Sequence, residues 1–102
     1  MDDLEFVENT ATHHYEAKQD GSVVGFVEYR ESNGVRLLTH TEVSEKLEGQ
    51  GVGSRLVKFA LESIKASGAS LVPMCPFVAA YIQRHREYSD LVKLEHRAMY
   101  GL

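Results

Sequence analysis

Tryptophan is missing from this sequence, cysteine occurs once and proline twice. A single cysteine, Cys75, rules out an internal disulfide, and an unpaired thiol belongs in a reducing compartment. The longest apolar stretch, 71–82, is interrupted by Pro73 and Pro76 and falls short of the roughly 20 residues a spanning helix needs. The opening MDDLEFVENT begins with acid and lacks the apolar centre of a secretory signal, so the expected location is the cytoplasm, with no membrane contact. No basic run exists either. Eleven Lys and Arg are scattered against 15 Asp and Glu, giving a net charge of −4, which is unlike the basic stripe of a nucleic-acid binder. No internal repeat, low-complexity segment or Pro/Gly/Ser-rich linker divides the chain, so residues 1–102 read as a single domain. One core suffices at this size without disulfide or structural metal. A ligand cleft must then be shallow or shared with a partner, and the chain is expected as a monomer or a weak dimer.

What the sequence does contain changes character near its middle. Val23, Val24, Phe26, Val27 and Tyr29 form a β-branched and aromatic run between the turn signals Asp20-Gly21 and Ser32-Asn33-Gly34. Residues 35–43 supply its partner strand, since Asn33 and Gly34 both tolerate the positive φ of a tight hairpin. A shorter hairpin is expected from 6–7 and 14–18. From Val52 the period becomes helical: Leu56, Val57, Ala60, Leu61 and Ile64 share one face, with Arg55, Lys58, Glu62 and Lys65 opposite. Gly68 stands where a left-handed cap ends such a helix. Residues 70–74 read as a short buried strand, parallel to the strand before the helix by the crossover rule. Pro73 cannot donate a ladder hydrogen bond, so the two parallel strands are expected to splay there. Pro76 suits the first position of a second helix, with Phe77, Val78, Tyr81 and Ile82 as its apolar face. The expected fold is therefore α/β, with a mixed sheet: amino-terminal antiparallel strands followed by a β-α-β-α unit.

The candidate site begins with Glu48-Gly49-Gln50-Gly51-Val52-Gly53, between a strand and a helix start. The first helical turn offers unpaired backbone N–H groups and partial positive charge, and glycine lets a phosphate approach closely. Two better-known phosphate motifs fail here. A P-loop needs Lys-Ser/Thr after its last glycine, but Ser54-Arg55 follows. A dinucleotide fingerprint read from Gly49 meets Ser54 where its third glycine belongs. An empty strand-to-helix turn is the plain alternative.

Cys75 ends the second parallel strand just before the second helix, where the helix dipole favours a thiolate able to attack a thioester. A small buried apolar residue is the competing reading. His40, between Thr39 and Thr41, is a candidate proton acceptor for an amine or for Cys75, and Glu42, two residues on and on the same strand face, is an alternative base. His13, His14, His85 and His96 show no metal-ligand spacing, so no metal is expected. The cluster Arg84, His85, Arg86 is explained by its place at a helix C-terminus.

These residues resemble a family. The pattern Gln/Arg-x-x-Gly-x-Gly/Ala before an amphipathic helix is the coenzyme A pyrophosphate motif of the GCN5-related N-acetyltransferases, and residues 48–53 are similar to it, with Glu48 at the first position. His40-Thr41-Glu42-Val43 and Pro73-Met74-Cys75-Pro76-Phe77 resemble the compact subfamily that lacks the usual amino-terminal helices, over about residues 35–92. The resemblance implies an acetyl-CoA-dependent N-acetyltransferase acting on an amine acceptor whose identity stays open. It implies that Val43 and its neighbours, Thr41 included, pair with the pantetheine arm. It also implies that Gln50, Gly51, Val52, Gly53, Ser54 and Arg55 lie at the pyrophosphate, Val52 to Arg55 as donors. Cys75, with His40 or Glu42, is then the catalytic candidate, in direct transfer or through an acetyl-Cys75. A non-catalytic coenzyme A or acyl-CoA binding module, and a plain structural domain, are the rival readings.

Overall fold

A computed structural model describes residues 3–102; Met1 and Asp2, which open the acidic amino terminus, lie outside the described residues. Five strands, β1 (Leu4–Asn9), β2 (His14–Gln19), β3 (Ser22–Ser32), β4 (Val35–Val43) and β5 (Ser70–Pro73), form one sheet in sequential order. The first four pair antiparallel and β5 joins β4 in parallel, through the crossover helix α1 (Val52–Ser67). The mixed α/β architecture expected from the residue pattern is the one observed. The amino-terminal hairpin is longer than the 6–7 and 14–18 pairing predicted.

Local chemistry accounts for the joints. Asn33 and Gly34 take φ of 49° and 77°, the left-handed geometry a two-residue hairpin loop demands. Helix α1 ends at Gly68, φ 78°, whose N–H donates to the Lys65 carbonyl. Helix α2 (Pro76–Arg84) begins with proline at its first position. Short 3-10 turns at Arg86–Leu91 and Ala98–Tyr100 flank the single-turn helix α3 (Leu94–Arg97), and Val92 makes a parallel bridge to Leu71 on the outer side of β5.

The core lies on one face of the sheet. Tyr15, Ala17, Val27, Tyr29 and Leu38 point from the strands toward Leu56, Val57, Ala60, Leu61 and Ile64 of α1 and Val78, Tyr81 and Ile82 of α2, all buried in one cluster. Each large aliphatic side chain so buried stabilises the fold by about 1.5–3 kcal/mol. At the sheet end away from the glycine turn this face carries a polar network. Arg36 donates to Glu31 (2.7 Å), Glu8 (3.1 Å) and the Tyr15 hydroxyl (2.6 Å), and Tyr29 donates to Glu8 (2.7 Å). Burial alone would lower the affinity of Arg36 for its proton, but the Glu31 hydrogen bond and the surrounding groups raise it above the ordinary value.

The opposite face stays open. Among its described residues only Glu16 is buried, while Phe26 is half-exposed and His40 and Glu42 are exposed. No helix of the described residues is long and apolar enough to cross a membrane.

Candidate active site

Strand β4 decides which side chains meet. Its pairing with β3 shifts between Glu28 and Tyr29, so that Glu28 faces His40 while Tyr29 faces Leu38, and Thr39 is the extra residue of a β-bulge. A bulge inverts the alternation of side chains beyond it. Leu38 points into the core, yet Thr41 and Val43, not His40, continue on that face, opposite Val27 and Gly25. His40 and Glu42 are turned to the open face, where His40 Nε2 lies 3.4 Å from Glu42 Oε1.

The paired register between β4 and β5 ends at Leu38 and Pro73. Proline has no N–H to give, and the next amide, Met74, turns back to the Val72 carbonyl (3.1 Å), so the Leu38 carbonyl is reached by the N–H of Cys75 instead (2.8 Å). Beyond that point, among the described residues, nothing pairs with this edge of 39–43. The separation of the strands expected at Pro73 thus follows from a missing donor. Cys75 becomes the N-cap of α2, 5% exposed, with its Sγ 3.4 Å from the Thr41 hydroxyl.

An open cleft of about 370 Å³ occupies the region beyond the last rung. Thr41 and Val43 form one wall, Leu47 to Gly49 a second, and Gly51 to Ser54 a third, with the Phe77 ring beside them. Gly51, φ 76°, is the N-cap of α1 and carries no side chain to cap it. The amides of Val52, Gly53 and Ser54 precede the first intrahelical bond, which Arg55 N–H makes to the Gly51 carbonyl (3.1 Å). Three first-turn donors therefore remain for a ligand, not the four expected: the amide of Arg55 is spent inside the helix, and its guanidinium lies 5.3 Å from the centre of the Phe6 ring. A Cβ on Gly53 would stand 3.0 Å from Phe77 and 3.6 Å from Val43, so only glycine keeps this corner open. The Gln50 amide side chain bonds the Lys46 carbonyl (3.3 Å) and does not line the cleft.

A second groove of about 620 Å³ crosses the same end of β3 and β4. Its walls are Val23, Val24, Gly25 and Phe26 on one strand, Thr41 to Val43 on the other, and then Ser44, Glu45 and Glu48. It shares Thr41, Val43 and Glu48 with the cleft.

The structure thus brings Thr41, Val43, Gly51, Val52, Gly53 and Ser54 together around one cleft, pairs Cys75 with Thr41, and sets His40 with Glu42 across the strand. Sequence reasoning missed the bulge at Thr39, for which a lone threonine gives no signal. It also placed Phe77 on the apolar face of α2, whereas the ring is 42% exposed at the cleft. The cleft has uncapped amides at one end, which favour an anionic group, and at the other a strand edge with unused backbone groups.

Comparison with known proteins bears on what such a cleft serves. A search of curated proteins gives no match. Among solved structures, a GCN5-like protein of Staphylococcus aureus determined by NMR superposes with a TM-score of 0.69 at 24% identity, covering 91% of each chain. An IAA acetyltransferase of Bacillus cereus matches at 25% identity and TM-score 0.51, over 67% of this chain and 61% of its own. The family model described as GCN5-related N-acetyl-transferase matches residues 14–91, most of the sequence, and the chain belongs to that family of acetyltransferases.

Proposed function

We propose that this N-acetyltransferase takes its acetyl group from acetyl-coenzyme A held in the cleft between β4 and the amino end of α1, and passes it to an amine. The observation that carries the reading is the set of uncapped amides, Val52, Gly53 and Ser54, opening onto a cleft whose other wall is the unpaired edge of β4. Those amides would hold the pyrophosphate, each charge-assisted bond contributing about 1.5–3 kcal/mol. Thr41 and Val43 would hold the pantetheine arm. When bound, the coenzyme supplies an acetyl thioester, an acyl group with a thiolate leaving group.

The chain's own residues supply proton handling. The Glu42 carboxylate beside His40 Nε2 favours the proton on that nitrogen, leaving Nδ1 to accept one from an incoming ammonium. The amine nitrogen then attacks the thioester carbonyl and the carbon–sulfur bond breaks. In a covalent variant, the Cys75 sulfur attacks the acetyl carbonyl first, its proton passing to the departing coenzyme thiolate as that carbon–sulfur bond breaks, and the amine later displaces the cysteine sulfur from the acetyl group. Thr41 is the polar group placed to hold that sulfur. We also assign the chain to the cytoplasm, on the ground of its unpaired thiol.

The test is release of coenzyme A thiol from acetyl-coenzyme A in the presence of amines, set against release without acceptor. Amine-dependent turnover is the expected result, and its absence across polyamines, aminoglycosides and lysine peptides, despite coenzyme binding, would leave a binding module in place of a transferase. A burst of one thiol per chain without acceptor, lost in Cys75→Ala, assigns the covalent route; unchanged turnover in that variant assigns the direct one.

A further inference from the structure

Resting on that transfer reading, we propose that the groove over the ends of β3 and β4 is the acceptor subsite and that its occupant is a free aliphatic polyamine carrying at least two ammonium groups. The groove joins the cleft through Thr41, Val43 and Glu48, so an amine lying in it can present one nitrogen at the strand edge where the acetyl group is to be transferred.

Its lining is both apolar and acidic. Val23, 49% exposed, and Phe26 give it an apolar floor, while Glu42, Glu45 and Glu48 stand around it with no lysine or arginine among the lining residues. Glu42 is next to His40; no ion pair or side-chain hydrogen bond engages Glu45 or Glu48 among the described residues. Carboxylates spaced over apolar surface match ammonium groups spaced by methylenes, which bury their chains while keeping their charges at the rim. A polyamine also resolves a conflict that a monoamine does not. The reacting nitrogen must be neutral to attack, and an acidic groove holds a neutral amine poorly. With two or more nitrogens, one can lose its proton toward His40 while another remains charged against Glu45 and Glu48.

Titration of the uniformly 15N-labelled chain with spermidine, without coenzyme, tests the inference separately from transfer. Amide shifts are expected at Val23, Phe26, Glu42, Glu45 and Glu48, weakening as salt is raised. Glu45→Gln should raise the spermidine Kd about two- to fivefold, the range for an exposed ion pair, and Glu45→Lys should raise it about tenfold or more. Butylamine at the same concentrations should leave these amides unmoved. Shifts scattered over distant carboxylates such as Glu62 and Asp90, or an unchanged Kd in Glu45→Lys, overturn the subsite. A lysine-rich peptide that displaces spermidine and binds more tightly overturns the choice of a free polyamine. Acetyl-coenzyme A is titrated in a parallel sample. Spermidine binding without coenzyme binding refutes the transfer reading and keeps the groove; coenzyme binding without spermidine binding refutes the groove and keeps the transfer reading.

Discussion

Replacing Gly53 by alanine separates the stability of the fold from the capacity of the cleft. The new Cβ would meet Phe77 Cζ at 3.0 Å, Phe77 Cε2 at 3.3 Å and Val43 Cγ2 at 3.6 Å. Alanine in a helix gains up to about 1 kcal/mol over glycine, less in the first turn, and this offsets the crowding because the Phe77 ring is partly exposed and can rotate. The ligand-free protein should therefore keep its stability to within about 1 kcal/mol, a few degrees in Tm for a chain of this size. The cleft should not survive as well, since the methyl group and the displaced ring both enter it. Loss of one charge-assisted hydrogen bond, about 1.5–3 kcal/mol, raises the Kd for acetyl-coenzyme A by roughly 10- to 150-fold. At a ligand concentration 100 times the Kd of the unmodified protein, binding adds about 2.7 kcal/mol of stability; after a tenfold loss it adds about 1.4 kcal/mol. Differential scanning fluorimetry should show an upward shift of roughly 10–20 °C in the unmodified protein and at most half of that in Gly53→Ala. A full-sized shift in the variant refutes the cradle, and a ligand-free Tm lowered by more than about 15 °C refutes the packing argument.

Three further outcomes follow from the same geometry. His40→Gln should lower kcat by about 10²- to 10⁴-fold, and an unaltered kcat would take proton transfer away from His40. Thr41→Val, which removes the hydroxyl beside the Cys75 sulfur, should slow acetylation of Cys75 up to about tenfold, with Thr41→Ser restoring it; quenched-flow mass spectrometry reads the rate, and equal rates in all three proteins would reduce Thr41 to a lining residue. Tyr29 and Tyr88 are held protonated well above the ordinary phenol range, by burial first and then by hydrogen bonds to Glu8 and Glu62. Because unfolded tyrosine ionises near pH 10, stability should be complete below about that pH and fall above it by up to about 1.4 kcal/mol per pH unit for each residue. Urea denaturation between pH 9 and 11.5 tests this, with a shallower slope expected in Tyr88→Phe and an identical slope counting against it.

Much of this architecture is legible in the residues because local signals agree with the fold. Asn33-Gly34 admits one kind of turn, the spacing of Leu56, Val57, Ala60, Leu61 and Ile64 admits one kind of helix, and Gly68 closes it. Pro73 announces the end of strand pairing for a reason visible in its chemistry, the missing N–H. The candidate site is less legible where it depends on register. A strand alternates its side chains, and by alternation alone His40 would share a face with Leu38 and approach Cys75; the extra residue at Thr39 exchanges it for Thr41. No residue type marks that insertion. The role of Arg55 is hidden for a similar reason: whether its amide is free depends on which residue caps the helix, and Gly51 rather than Val52 does so. Phe77 looks like a core residue by type, and only the close approach of Gly53 shows it as part of a wall.

Whether the amino end of α1 and the free edge of β4 form a coenzyme site is decided by an acetyl-coenzyme A titration followed residue by residue in 15N–1H spectra. The amides of Val52, Gly53 and Ser54 should move furthest, joined by Thr41 and Val43, and saturate together with a single Kd. The amide of Arg55, already bonded to Gly51, should move less. An unchanged spectrum with the ligand at about a millimolar, or shifts confined to other parts of the chain, rules out a coenzyme site there.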